Sequence, residues 1–116
     1  MVLNWNSYIG IPYSTYNCAD LVIAVYKDVG IHITSIEDLT DLKKMFKPVQ
    51  NPKELDMVVL RNSKRVPHVG IWCDEDHKGV VHSIKNRGVC FDTLKYLIAT
   101  GWKEFFYYRH ESLYQQ

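Results

Sequence analysis

The chain has 116 residues, 47% of them hydrophobic and 23% charged, with 14 lysines and arginines against 13 aspartates and glutamates for a formal net charge of +1. That length fits one domain spanning residues 1–116, large enough to bury a core without disulfide or metal staples, and the composition excludes disorder and fibrous structure. The charge balance, with basic residues scattered, excludes a broad nucleic-acid-binding surface, and no apolar run approaches the roughly 18 residues that cross a bilayer.

The opening MVLNWNSY lacks the charged-then-apolar pattern of a signal peptide, so the chain is expected to be made and folded in the cytoplasm, with no membrane partner. In YIGIPYSTYN, Gly10, Pro12, Ser14 and Asn17 break regular structure and lay an irregular segment across the surface. A helix follows from about Cys18 to Val29, because Cys18, Leu21, Val22, Val25 and Val29 share one face, and Gly30 ends it. A second helix is expected from Ser35 to about Met45, with Ser35 as N-cap, Glu37 and Asp38 in its first turn and Lys43 and Lys44 near its end. Pro48 and Pro52 then bracket a loop.

From Asp56 the pattern changes to short β-rich runs, DMVVLR, HVGIWC, GVVHSI and GVCFDT, which read as an antiparallel meander. A short helix from Leu94 to Ala99, a stop at Gly101 and a last strand through Phe105, Phe106, Tyr107 and Tyr108 complete the order. Helices first and a sheet afterwards make an α+β domain.

The chemistry centres on a thiol. A cysteine nucleophile must be partly thiolate near neutral pH although a free thiol titrates at about 8.5, and the first turn of a helix favours an anion. Cys18 sits where the irregular segment becomes a helix. Such a nucleophile needs a base that also protonates the leaving group. Of five histidines, His68 opens HVGIWC and His82 lies inside GVVHSI, and the polar CDEDHKG between them reads as a hairpin loop. Pairing Gly70 with Val80 and Trp72 with Lys78 centres the loop on Glu75 and sets His68 opposite His82 on one face, so that one ring can orient the other. His77 falls in the hairpin loop and His110 near a frayed end, both expected on the surface, while His32 has no evident partner.

Three cysteines without CxxC spacing argue against a disulfide framework or a four-ligand zinc site. Cys73 and Cys90 read as core residues. A metal set of Cys73, His77 and Cys90 lacks short ligand spacing, so no cofactor is expected.

In YIGIPYSTYNCADLV, DMVVLR, PHVGIW and VVHSIKNRGV, the sequence resembles the NlpC family of papain-like cysteine peptidases, which cleave peptide bonds in bacterial cell-wall stem peptides. The resemblance implies a papain-like fold with helices on an antiparallel sheet, Cys18 as nucleophile, His68 as base and His82 as the orienting residue. It matches Tyr13 to a tyrosine lining the substrate cleft, with Asn17 on the same substrate-binding side where the family usually has Asp. Leu55 stands where the family usually has glycine. The implied substrate is a peptidoglycan stem peptide, cut between D-γ-glutamate and the diamino acid that follows. Alternatives are a CHAP-like amidase or acyltransferase using the same nucleophile, or an inactive phage tail-assembly component. Delivery to the wall would then rest on a phage tail, lysis or a specialised secretion assembly.

Overall fold

Residues 21, 22, 25 and 26 of the first helix recur at the spacing of one helical face, and a computed structural model, which describes residues 3–33, 44–75 and 77–114, buries all four completely. This helix, α1, spans Cys18–Asp28; the side chain of its N-cap Asn17 accepts from Asp20 N at 2.9 Å, and Gly30, at φ +86°, lets the chain leave it. Burying side chains of this size stabilises the fold by about 1.5–3 kcal/mol each, which is what holds so short a helix in place. The proposed second helix falls mostly on residues 34–43, outside the described residues; Lys44 and Met45 are helical.

The strands are β1 (Phe46–Val49), β2 (Met57–Arg61), β3 (His68–Cys73), β4 (Gly79–Ile84), β5 (Gly88–Asp92) and β6 (Glu104–His110), with α2 (Leu94–Ala99) before the last. They form one antiparallel sheet in the order β1-β6-β2-β3-β4-β5. The expected meander is therefore real from β2 to β5, and β6 then returns to insert between β1 and β2. β1 corrects the sequence reading, which placed a loop there. FKPV carries Pro48, but as the edge strand it needs hydrogen bonds on one side only, and proline is tolerated there.

Alternate strand positions supply two cores. On one face Ile71, Cys73, Val81 and Val89 pack with Leu21, Val22, Val25 and Tyr26 of α1 and with Trp5 and Tyr8 of the irregular N-terminal segment. On the other, Val58, Leu60, Trp72 and Val80 pack with Leu97 of α2, and Trp102 and Phe105 flank them. The period of two in the strands dictates this division.

One turn outside the sheet is held unusually firmly. Leu55 has φ +74° and is the only non-glycine residue with positive φ among the described residues. It occupies the position where the resemblance expects glycine, the residue that adopts this conformation without cost. Leu55 N donates to Trp72 O at 3.0 Å and Leu55 O accepts from Tyr26 Oη at 2.7 Å, so packing fixes what propensity disfavours. The next residue, Asp56, is fully buried; Arg109 of β6 grips its carboxylate through Nε at 2.8 Å and Nη2 at 2.7 Å, and Lys53 N donates to it at 2.7 Å.

Candidate active site

β3 and β4 pair with Gly70 opposite His82, Trp72 opposite Val80 and Cys73 opposite Gly79. The expected register was shorter by two residues. Residues 74, 75, 77 and 78 stay out of the strands, and Asp74 is tied by its N–H to Glu54 Oε1 at 2.7 Å, which leaves Lys78 unpaired with Trp72. Because the shift is two, it preserves the face, and His68 and His82 become diagonal neighbours on one side of the sheet. A Cβ at Gly70 would lie 2.5 Å from Val80 Cγ1, 2.8 Å from Val81 O and 3.0 Å from His82 Cβ. The absent side chain gives β4 room to approach and lets the His82 ring lie across β3 toward His68.

The two imidazoles meet: His68 Nε2 and His82 Nδ1 are 2.8 Å apart, with the ring planes at 69°. His82 Nε2 in turn lies 2.7 Å from Asp92 Oδ2, and Arg87 Nη1 donates to both Asp92 oxygens at 3.0 and 2.8 Å. His82 and Asp92 are buried, while His68 is half-buried. Trp102 stacks on the His68 ring at 5.6 Å between centroids and 18° between planes, and the Arg65 guanidinium lies over that indole at 5.1 Å.

Burial, reinforced by the positive charge His82 could carry, depresses His68 to about 4. Burial also depresses His82, with the Asp92 carboxylate opposing and Arg87 adding to the depression. At neutral pH both rings are therefore neutral, and the contact between His82 and Asp92 is a hydrogen bond to a carboxylate rather than an ion pair. His68 Nδ1 makes no hydrogen bond among the described residues.

Cys18 stands half-buried at the start of α1. Its Sγ makes no hydrogen bond to either imidazole among the described residues, and α1 packs on the face opposite the histidines. The helix start is nevertheless drawn to their end of the sheet: Ser83, next to His82, donates its hydroxyl to Tyr16 O at 2.6 Å, two residues before Cys18. Continuing the β3–β4 register sets Ser83 beside Val69, immediately after His68. Tyr13 is half-buried in the segment before it, and Asn17 uses its side-chain oxygen as the helix cap.

Cys73 and Cys90 are buried, His77 and His32 exposed. His110 is not at a frayed surface as expected; it is buried, ends β6, meets Phe46 edge-on at 5.1 Å and accepts from Ser112 N through Nδ1 at 3.1 Å. Cys73, His77 and Cys90 line one cavity of about 450 Å³ at the β5 side, which borders none of Cys18, His68 and His82. Among the described residues the only metal-ligand types gathered within 4.8 Å of one another are His82, Cys90 and Asp92. Their mutual hydrogen bonds and Arg87 account for that cluster, and burial pushes the Cys90 thiol up to about 11, away from the thiolate a metal requires.

Asp92, Arg87 and Trp102 were missed by sequence reasoning. His82 pairs with Cys90, so Asp92, two residues on, leaves by the same face. Strand parity on GVCFDT could have found it, once the turn before Gly88 had set the register.

The family model for the NlpC/P60 family matches residues 6–107, and the chain belongs to this family. It is a family of cysteine peptidases and amidases that act on peptidoglycan. No curated protein matches the chain.

Proposed function

We propose that this NlpC/P60 member is a cysteine endopeptidase that hydrolyses the D-γ-glutamyl-diamino acid bond of peptidoglycan stem peptides through Cys18, His68 and His82. The observation that carries the reading is the 2.8 Å contact of His68 Nε2 with His82 Nδ1, which leaves His68 Nδ1 free at the sheet end to which the start of α1 is tied. A base held by a second imidazole, beside a helix start that bears a thiol, has the parts that nucleophilic acyl transfer needs.

In this mechanism the substrate carbonyl enters between α1 and the opening of β3, and the thiol closes on His68 in that complex; catalytic hydrogen bonds commonly tighten only then. His68 Nδ1 takes the thiol proton as Sγ attacks the carbonyl carbon. The backbone N–H of Cys18, one of the unpaired donors of the helix start, faces the developing oxyanion. The imidazolium then protonates the departing amine of the diamino acid, leaving an acyl-enzyme. Water attacks that thioester, giving its proton to the same nitrogen, and the thiol is restored. Tyr13, in the half-buried segment before the helix, lines the cleft.

Incubation with a defined tetrapeptide stem, followed by mass spectrometry, tests the reading. Release of L-Ala-D-Glu and a dipeptide beginning with the diamino acid is expected, and Cys18→Ala should abolish it. Cleavage between the sugar lactate and L-Ala would replace the reading with an amidase. An intact stem would overturn hydrolysis of this bond.

A further inference from the structure

We infer that Asp92, clamped by Arg87, is a positioning residue of this site, which selects the tautomer of His82 and through it the tautomer of His68. The inference rests on the reading of His68 as the base.

Asp92 is buried with Arg87 donating to both of its oxygens, so it is a carboxylate and can only accept. His82 Nε2, 2.7 Å away, must therefore carry a hydrogen. A neutral imidazole has one N–H, which leaves a lone pair on His82 Nδ1. That lone pair faces His68 Nε2 at 2.8 Å, so His68 must donate there. His68 is then protonated on Nε2 and bare on Nδ1, the nitrogen that has to accept the proton. A choice made at Asp92 is thus passed through two rings.

Without Asp92 nothing among the described contacts enforces that choice. The other polar and charged groups facing this chain are Cys90, which sits across from His82 on β5 with its thiol 3.8 Å from Asp92 Oδ2, and Arg65, Arg87, Tyr96, Thr100 and Trp102, which line a cavity of about 310 Å³ against His82 and Asp92. None of them is a second carboxylate that could replace Asp92.

Asp92→Asn separates position from packing because it keeps the shape. With Arg87 still donating, the amide oxygen turns to the guanidinium and the NH₂ group turns to His82 Nε2. His82 must then carry its hydrogen on Nδ1, His68 must accept on Nε2, and the His68 hydrogen moves to Nδ1. The base is blocked while the one hydrogen bond given up is that from Arg87 Nη1 to the oxygen the NH₂ group replaces.

Long-range ¹H–¹⁵N spectra of histidine-labelled protein read the tautomers directly and need no substrate. The wild type should show His68 and His82 both protonated on Nε2, and Asp92→Asn should convert both to the Nδ1–H form. With stem peptide, kcat should fall about 10²–10⁴-fold in Asp92→Asn with KM changed less than about threefold, as a wrong-tautomer base implies. Asp92→Glu should recover at least about tenfold of that loss. Finding Nδ1–H on His82 in the wild type overturns the inference even if no variant folds. Unchanged tautomers in folded Asp92→Asn, or turnover within about threefold of wild type, overturn it as well. Tautomers that convert in a protein that leaves the stem intact would sustain Asp92 and remove the hydrolase reading instead.

Discussion

Acidification should unfold this protein partly through His68, and the size of the effect follows from its surroundings. His68 titrates at about 4 in the folded chain against an ordinary 6.5, with burial the larger cause and His82 the smaller. Between those values the unfolded chain binds the proton and the native one does not, so stability is fully present above about pH 6.5 and is lost as the pH falls toward 4. The loss from this ring is about 1 kcal/mol at pH 6, about 2 at pH 5 and about 3 at pH 4, where it nears its ceiling. His82 and His110 are also depressed, chiefly by burial, and add losses of the same sign. His68→Gln isolates the one ring, because Gln cannot titrate but keeps an N–H for His82 Nδ1. Urea unfolding of both proteins, followed by tryptophan fluorescence at about pH 7.5, 6 and 5, measures the difference. The wild type should lose about 2 kcal/mol more than the variant between the first and last of these conditions. Parallel losses in the two proteins would show that His68 keeps its ordinary affinity for protons and would refute the desolvated setting argued for it.

Three other outcomes are expected. Arg109→Met leaves the fully buried Asp56 carboxylate without its bidentate partner and should cost about 3–5 kcal/mol in urea unfolding, most of it recovered when Asp56→Asn is added. Gly70→Ala forces β3 and β4 apart against contacts of 2.5–3.0 Å, so it should cost about 1–3 kcal/mol and shift the His68 and His82 ring signals together; signals that stay in place would deny that the glycine sets their contact. Iodoacetamide at neutral pH should label Cys18 before Cys73 and Cys90, which are 6% and 7% exposed and whose thiols burial pushes up, and peptide mass mapping that found Cys73 or Cys90 first would count against Cys18 as the reactive thiol.

Much of the histidine pair was legible because strands repeat every two residues. A register error of two left His68 and His82 on one face, where an error of one would have separated them. The thiol at the helix start was legible from the apolar stripe that begins at Cys18 and from the irregular segment that ends just before it. Asp92 was not, because its role depends on the β4–β5 register and on Arg87 across the turn, neither of which a single run of residues encodes. The strand at Phe46–Val49 was hidden by Pro48, which is disfavoured in an interior strand and acceptable at an edge. The return of β6 beside β2 was hidden by distance: Asp56 and Arg109 lie 53 positions apart and nothing local to either marks the other.

The insertion of β6 between β1 and β2 bears on how the protein is made. A ribosome delivers β2 to β5 in order, and each of β3, β4 and β5 can pair with the strand before it as it appears. The partner that fills the other edge of β2, and that alone joins β1 to the sheet, arrives after all of them. Asp56 has to wait as well, since the guanidinium that neutralises it is carried on that late strand. A nascent chain stopped at Trp102 would thus present a raw β2 edge and an acid that prefers water to the interior. Chaperones that shield strand edges, and pauses in translation between β5 and β6, should influence the yield of this protein more than those acting earlier.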